Sequence, residues 1–383
     1  MNPSKIQQVF ENGWDEYLKF NTPTEIQYKT AHSIMACKSG KLGCNINLCE
    51  DCGHTSIHNN SCRNRNCPNC QAILKEIWID KRKAEVIDVP YFHVVFTIPA
   101  ELKSLIFANQ KVLYSLMHKC TGETLLELSQ NPKHLGAIPG IIQVLHTWGQ
   151  KLNYHPHIHC IVSGGGLSKN RKLKKRGDKF FIPVKVLSQK FRGKFLNHLQ
   201  RLHKSQQLKL FGQISHLKNA YEWNEYRNNL YTKDWCPYIK ETFNGFGNGI
   251  EYLGRYTHRI AITNSRIISI ANDEVTFQVL DYKSNAKQEL KLDNKEFIRR
   301  LLNHVLPQGF QKIRYYGFLN NRNKAKNLKI LFKEQGFQKF HSLLIGLNMA
   351  EILMQVWNYD ISLCSACKQN AMRKSGQTFH MLN

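Results

Sequence analysis

The sequence predicts an α+β protein. A central antiparallel sheet flanked by helices follows an N-terminal cysteine-rich, zinc-binding module and precedes a C-terminal α/β accessory region. Three observations carry this prediction. Residues 153–162 (NYHPHIHCIV) form an apolar run with β-branched Ile158, Ile161 and Val162, the signature of a buried strand, and the run holds His157 and His159. Seven of the 12 cysteines fall between residues 37 and 70. Amphipathic helical patterns alternate with short apolar strand patterns along the rest of the chain, and no internal repeat or low-complexity tract interrupts them.

Composition bounds the partner. Lys and Arg total 54 against 28 Asp and Glu, a net charge of +26 over 383 residues. That excess points to a polyanion, with nucleic acid the leading candidate, and away from an ordinary enzyme of small metabolites. No run approaches the roughly 20 apolar residues of a spanning helix, so no membrane partner is expected. The start, Met1-Asn2-Pro3-Ser4-Lys5, leads into a polar amphipathic run rather than a signal peptide. A cytoplasmic location follows, where clustered thiols stay reduced and bind metal rather than pair as disulfides.

Four regions are expected in chain order. Residues 1–36 form a helical arm of two short helices; the second opens with Thr22-Pro23-Thr24-Glu25, a capping-box spacing with proline at the first helical position. Residues 37–90 form the zinc module and a connecting amphipathic helix over 71–86. Cys49-x-x-Cys52 and Cys67-x-x-Cys70, fourteen residues apart, have nearly the spacing of one four-cysteine zinc site. Cys44 and Cys62, with His54, His58 or Cys37, are candidates for a second. A segment this rich in Asn and Gly has too little apolar surface to fold without metal, so zinc is structural here. Arg63 and Arg65 beside the knuckles suggest phosphate contact.

Residues 91–262 are expected to hold the sheet. A strand over 91–98 carries His93, which is read as a packed histidine that would become a ligand only if its strand neighboured the His pair. Helices follow over 100–118 and 121–130, then a strand character over 141–145 that pairs with the His-bearing strand. Gly164-Gly165-Gly166 is a turn, since no phosphate-loop context surrounds it. Residues 169–179 are a basic loop in which Lys172, Lys174 and Lys175 are candidate phosphate contacts. A short strand over 181–184 and a basic helix over 187–213 come next, and residues 244–249 (NGFGNG) read as a hinge. After Arg259 strands are expected at 260–263, 267–270 and 275–282, and a helix over 294–302; the last region spans 263–383. Residues 312–318 interleave Lys312 and Arg314 with aromatic rings, a pattern suited to single-stranded nucleic acid. Cys364-Ser365-Ala366-Cys367 is a lone knuckle that would need ligands from elsewhere, such as His380 or spare upstream cysteines.

Alternate strand side chains share a face, so His157 and His159 point the same way, about 6.6 Å apart along the backbone, and can converge on one divalent ion. His155 shares that face but lies about 13 Å from His159 along an extended strand. The third ligand is therefore open, with His155, Gln150 and a carboxylate from elsewhere as candidates. In residues 251–259 (EYLGRYTHR), read as helix, Tyr252 and Tyr256 are i,i+4 neighbours about 5–6 Å apart, with Arg255 and Arg259 in a second row. A phenol becomes a competent nucleophile when its oxyanion is stabilised, which a nearby metal and arginines would do.

The sequence resembles the rolling-circle insertion-sequence transposases of the HUH (His-hydrophobic-His) two-tyrosine class, the insertion-sequence-ninety-one type. The matching phrases are Val144-Leu145-His146-Thr147-Trp148-Gly149-Gln150, His155-Pro156-His157-Ile158-His159, Gly164-Gly165-Gly166-Leu167 and Tyr252-Leu253-Gly254-Arg255-Tyr256-Thr257-His258-Arg259. Asn60-Ser61-Cys62-Arg63-Asn64-Arg65 in the cysteine block fits too, and the likeness runs in order from about residue 30 to residue 320. The resemblance implies an HUH endonuclease core with Mg²⁺ or Mn²⁺ at His157 and His159. Tyr252 and Tyr256 would be nucleophiles forming 5′-phosphotyrosine links to single-stranded or melted DNA. Arg255 and Arg259 would orient phosphate. Cys44 falls where relatives commonly carry histidine, which favours Cys44 as a zinc ligand, and the zinc module would help recognise transposon ends. A bacterial cytoplasm, with the protein on the nucleoid when acting and host helicase or replication proteins as helpers, is also implied. The rival readings are a rolling-circle replication initiator or relaxase with the same chemistry, and a non-catalytic zinc-dependent DNA-binding regulator.

Overall fold

The computed structural model describes residues 3–176, 182–235, 237–242, 254, 260–281, 284, 286–336 and 342–378. Helix α1 (Lys5–Phe20) starts at a Ser4 cap reciprocated by Gln7, and α2 (Glu25–Ala36) at a Thr24 cap reciprocated by Gln27. Pro23 therefore precedes the cap and does not occupy the first helical position as expected. Strands β1 (Cys44–Cys49) and β2 (Thr55–Asn59) form a hairpin, and α3 (Gln71–Lys83) follows with Cys70 as its N-cap.

The central sheet begins with β3 (Tyr91–Thr97). Helices α4 (Lys103–Ala108) and α5 (Gln110–Gln130) come next. Their break lies at Asn109 rather than near 118–121, because the Asn109 side chain donates to Leu105 O and accepts from Lys209 N. Strands β4 (Ile138–Trp148) and β5 (Tyr154–Leu167) form a long hairpin, and the expected turn at Gly164-Gly165-Gly166 is instead the continuing end of β5. Strand β6 (Leu173–Lys175) folds back on that end, so part of the basic loop is a strand. Cβ atoms at Gly164, Gly165 and Gly166 would press on Phe92, Val89 and the Ile138 carbonyl, which is why this end of the strand is glycine.

Helix α6 (Val184–Lys204) starts at Pro183, so Val184 is helical rather than part of a strand; proline presets the φ of a helix start. Helix α7 (Ala220–Thr232) and β7 (Pro237–Thr242) complete this half. The expected hinge at 244–249 and the tyrosine stretch, except for Gly254, lie outside the described residues.

A second sheet comprises β8 (Ile267–Ala271), β9 (Glu274–Asp281) and β10 (Ala286–Asp293), followed by α8 (Asn294–Leu302). Residues 260–263, expected as strand, are not strand; Ala261 and Ile262 are buried all the same. Strand β11 (Ile313–Gly317) returns to the central sheet, followed by α9 (Lys324–Gln335), α10 (Met349–Trp357) and β12 (Met372–Gln377).

The central sheet is ordered β11-β4-β5-β3-β7, with β6 attached to β5 and each pair antiparallel. Its two faces have different fates. Phe92, Val94, Phe96, Ile141, Leu145, Ile158, Cys160 and Val162 pack with Leu113, Met117, Phe191 and Phe195 of α5 and α6. On the other face Ile142, Val144 and Ile161 pack with Ile79 of α3 and Leu328 and Leu331 of α9. A large aliphatic or aromatic side chain buried this way stabilises the fold by about 1.5–3 kcal/mol. The N-terminal arm lies on the second sheet: Ile6, Val9, Phe10 and Trp14 share a core with Val275, Phe277, Phe297 and Ile298. Gly13 allows the approach, since a Cβ there would sit 2.8 Å from the Asn294 Cβ. A third sheet, ordered β12-β1-β2, joins the two ends of the chain.

Candidate metal centre

Strand β5 carries His157 and His159 on one face, and the hairpin register sets a third histidine beside them. His146 of β4 lies directly opposite His157. One ring nitrogen from each of His146, His157 and His159 lies within 4.8 Å of the others. His146 and His159 are buried and His157 is partly buried.

The hydrogen bonds prepare these rings as ligands. His157 places Nδ1 2.6 Å from the carbonyl oxygen of His155, so Nδ1 carries the proton and Nε2 keeps its lone pair. That Nε2 is 3.0 Å from His159 Nε2. Two nitrogens this close repel if both are bare; a shared proton or a cation between them relieves this, so the donor set fits a divalent ion. His93 of β3 meets His159 Nδ1 through its Nε2 at 2.9 Å, with the two rings nearly coplanar at an interplanar angle of 3° and their centroids 5.1 Å apart. It thus orients a ligand from behind, as outer partners of metal-bound histidines do. Trp148 stacks on His146 with centroids 4.4 Å apart. Lys312 lies 5.5 Å from the Trp148 ring, its pKa pushed down to about 7 by burial and then by the Arg65 guanidinium.

The open third position thus has a geometric occupant in His146. His155 remains a ring neighbour of His157, with centroids 5.1 Å apart, outside the trio; burial, then the Lys103 charge, lowers its pKa. Gln150 sits in the turn, where its carbonyl accepts from Arg266. The turn over 149–153 alone did not signal His146: with Trp148 opposite Tyr154, a regular hairpin would pair His146 with Pro156, and a register shift between His146 and Trp148 brings it opposite His157.

Tyr252, Tyr256, Arg255 and Arg259 lie outside the described residues. Gly254, between the two tyrosine positions in sequence, is helical and buried, and a Cβ on it would overlap the Ile79 side chain. Ile79 belongs to the core covering the sheet face shared by Val144, Ile161 and the histidines, for Val144 is opposite His159 and Ile161 lies two residues beyond it.

Among the described residues, eight cysteines form two tetrads, not grouped as expected. Cys67 and Cys70 join Cys37 and Cys62, whereas Cys49 and Cys52 join Cys364 and Cys367. The two upstream knuckles serve different sites because β1 pairs with β12 at the far end of the chain. In the first tetrad Cys37 Sγ is 3.5 Å and Cys62 Sγ 3.7 Å from Cys70 Sγ. Thiol hydrogen bonds from Cys37, then Cys62 and Cys67, hold the Cys70 pKa far below the usual thiol range. Cys44 lies in neither tetrad; its Sγ is 3.5 Å from Thr378 Oγ1.

The candidate DNA contacts differ in availability. Arg63 and Lys172 are exposed. Lys174 is exposed too, with its amine close to where a Cβ of Gly136 would lie, and Lys175 is 3.3 Å from Asp88. Arg65, expected at phosphate, instead donates to the carbonyls of Phe310, Leu306 and Pro307, whose oxygens converge on its guanidinium. Arg314 donates to Ser115 Oγ and lies over Phe310, and the neighbouring Tyr315 hydroxyl accepts from Trp78. The aromatic and basic stretch is thus largely committed to packing β11.

Known proteins place this architecture. A family model described as "Putative transposase" matches residues 140–327, and one described as "Transposase zinc-binding domain", of the IS91 type, matches residues 9–98. The protein y4qJ of Sinorhizobium fredii (strain NBRC 101917 / NGR234), which carries the first description, is 39% identical over 329 residues, 85% of this chain and 82% of that protein. The transposase for insertion sequence element IS801 of Pseudomonas savastanoi pv. phaseolicola is 29% identical over 326 residues, 84% of this chain and 77% of that protein. No solved structure matches the chain. The class is that of DNA transposases with a cysteine-rich zinc-binding domain. Within it, the chain belongs to the IS91 family of transposases. Among the described residues, no helix is long and apolar enough to cross a membrane.

Proposed function

We propose that this transposase nicks and rejoins single-stranded DNA through 5′-phosphotyrosine intermediates, using an HUH-type centre at His146, His157 and His159. The observation that carries the reading is the convergence of three imidazoles on one sheet face, with His157 Nε2 3.0 Å from His159 Nε2. A divalent ion held there would draw charge from a scissile phosphate oxygen and leave positions open for DNA and water. An all-imidazole set suits Mn²⁺ better than the hard, oxygen-seeking Mg²⁺.

The chain's own residues do the rest. The phenol oxygen of Tyr252 or Tyr256 attacks phosphorus, the bond from phosphorus to the 3′ oxygen breaks, and that oxygen leaves as a free 3′-OH after taking a proton. The phosphodiester energy is kept in the new tyrosine ester, so rejoining needs no nucleotide hydrolysis. A second tyrosine allows a second strand end to be held during exchange. Arg255 and Arg259 orient phosphate, while exposed Arg63 and Lys172 supply sequence-independent attraction. The reading is supported by Gly254, two residues from each tyrosine in sequence, which lies against Ile79 of the core on the histidine side of the sheet.

The test is incubation with single-stranded oligonucleotides bearing transposon-end sequence and Mn²⁺ or Mg²⁺, resolved on denaturing gels. A DNA–protein adduct is expected, and a Tyr252→Phe, Tyr256→Phe double variant should bind DNA and form none. An adduct in that variant contradicts the proposal.

A further inference from the structure

The second tetrad unites residues some 300 positions apart, and its two halves are built alike. In Cys49-Glu50-Asp51-Cys52, Gly53 N donates to Cys49 O at 3.0 Å and Cys49 N donates to His54 O at 2.8 Å. In Cys364-Ser365-Ala366-Cys367, Lys368 N donates to Cys364 O at 3.0 Å and Cys364 N donates to Gln369 O at 2.8 Å. The residue after each second cysteine has positive φ, 72° at Gly53 and 61° at Lys368. A non-glycine residue in that conformation is uncommon, so Lys368 is held there by the turn it closes.

The sulfurs interleave rather than pair. Cys49 Sγ is 3.6 Å from Cys367 Sγ, Cys52 Sγ is 3.7 Å from Cys364 Sγ, and the four lie within 4.8 Å of one another. A tetrahedron with metal–sulfur bonds of about 2.3 Å has edges of about 3.8 Å. These separations suit four thiolates around one ion, and are far from the roughly 2.0 Å of a disulfide. Little else holds the region, since its buried apolar cluster comprises Cys49, Cys364, Ala371 and Met372. The backbone adds the β1–β12 pairing and a bond from Glu50 N to Ala371 O.

We propose that Cys49, Cys52, Cys364 and Cys367 bind a second structural zinc ion that clasps the C-terminal segment to the N-terminal module. The site is complete only when both ends of the chain have met, so metal binding and the docking of residues 342–378 are one equilibrium. Upstream of the knuckle, Asp80 of α3 anchors the same segment by accepting from Leu343 N and Leu344 N. This clasp does not depend on the proposed DNA chemistry.

Cobalt substitution of the full chain tests it, because thiolate-to-cobalt charge-transfer absorption counts cysteine ligands and ignores the imidazole site. Cys364→Ser, Cys367→Ser should lose about half of that absorption, and Cys49→Ser, Cys52→Ser the same half, since each leaves one tetrathiolate of two. In both variants limited proteolysis should cut within 342–378 at sites protected in the parent chain. Full absorption in either variant, or a protected C-terminal segment in the Cys49 and Cys52 variant, overturns the proposal. If a double variant fails to fold, Cys367→His keeps a ligand: it should bind cobalt with about one eighth less charge-transfer absorption, and an unchanged spectrum overturns the proposal.

Discussion

A histidine in this chain is defined by what faces it. His157 and His159 were legible because a strand's period of two places them together whatever the rest of the fold does. His146 was not, because its membership depends on cross-strand register, which a one-residue slip would reverse. Other histidines are buried without a metal-binding arrangement. His304 lies between Thr147 Oγ1 and Leu152 O, and burial lowers its pKa to about 4. His118 meets Gln143 at 2.8 Å, and burial lowers its pKa to about 3. Both are neutral when folded and take a proton more readily when unfolded. Their contribution is therefore complete above about pH 6.5 and is lost as pH falls toward those values, at up to about 1.4 kcal/mol per unit for each. Denaturant midpoints of the parent chain and of His304→Gln, measured from pH 7 to pH 4, should converge as pH falls. A constant gap contradicts the assignment.

Elements set these contacts by how closely they approach. The β4–β5 hairpin brings His146 to His157 through the turn over 149–153, where Gly149 N donates to Asn153 O. One alanine inserted in that turn should shift the register, turn the β4 side chains to the other face and abolish tight Mn²⁺ binding measured by calorimetry; retained binding would exclude the hairpin as the device that builds the site. Gly254 lies against Ile79 of α3. Gly254→Ala should cost about 1–3 kcal/mol of stability and cut adduct formation, and Ile79→Ala in the same chain should restore part of both. No recovery in the double variant would place the fault elsewhere. The presence of α1 and α2 was readable from their patterns, although α2 is capped at Thr24 rather than Thr22; the break at Asn109 was not, because it depends on Lys209, which is remote in sequence. Strand β10 also escaped sequence reading: its pattern is largely exposed, and pairing with β9 holds it in place.

For the whole molecule, the antiparallel sheet was legible where two strand patterns bracket Asn153-Tyr154, and the basic charge anticipated a DNA partner. The grouping of knuckles was hidden, because three Cys-x-x-Cys knuckles and the single cysteines Cys37 and Cys62 can combine in several ways until a sheet joins residue 49 to residue 372. The ends of the chain, the arm and the second sheet meet around the two cysteine tetrads, while the imidazoles occupy the central sheet. In the proposed function, cysteine chemistry serves assembly and histidine chemistry the reaction. Chelation that strips zinc should therefore lower the unfolding temperature even without DNA, whereas His146→Ala should leave it within a few degrees of the parent value. The most direct measurement is the yield of covalent protein–DNA adduct formed by His146→Ala with a single-stranded transposon-end oligonucleotide in Mn²⁺. A fall of at least about 100-fold with DNA binding retained is the predicted result, and an adduct yield equal to that of the parent chain would contradict it.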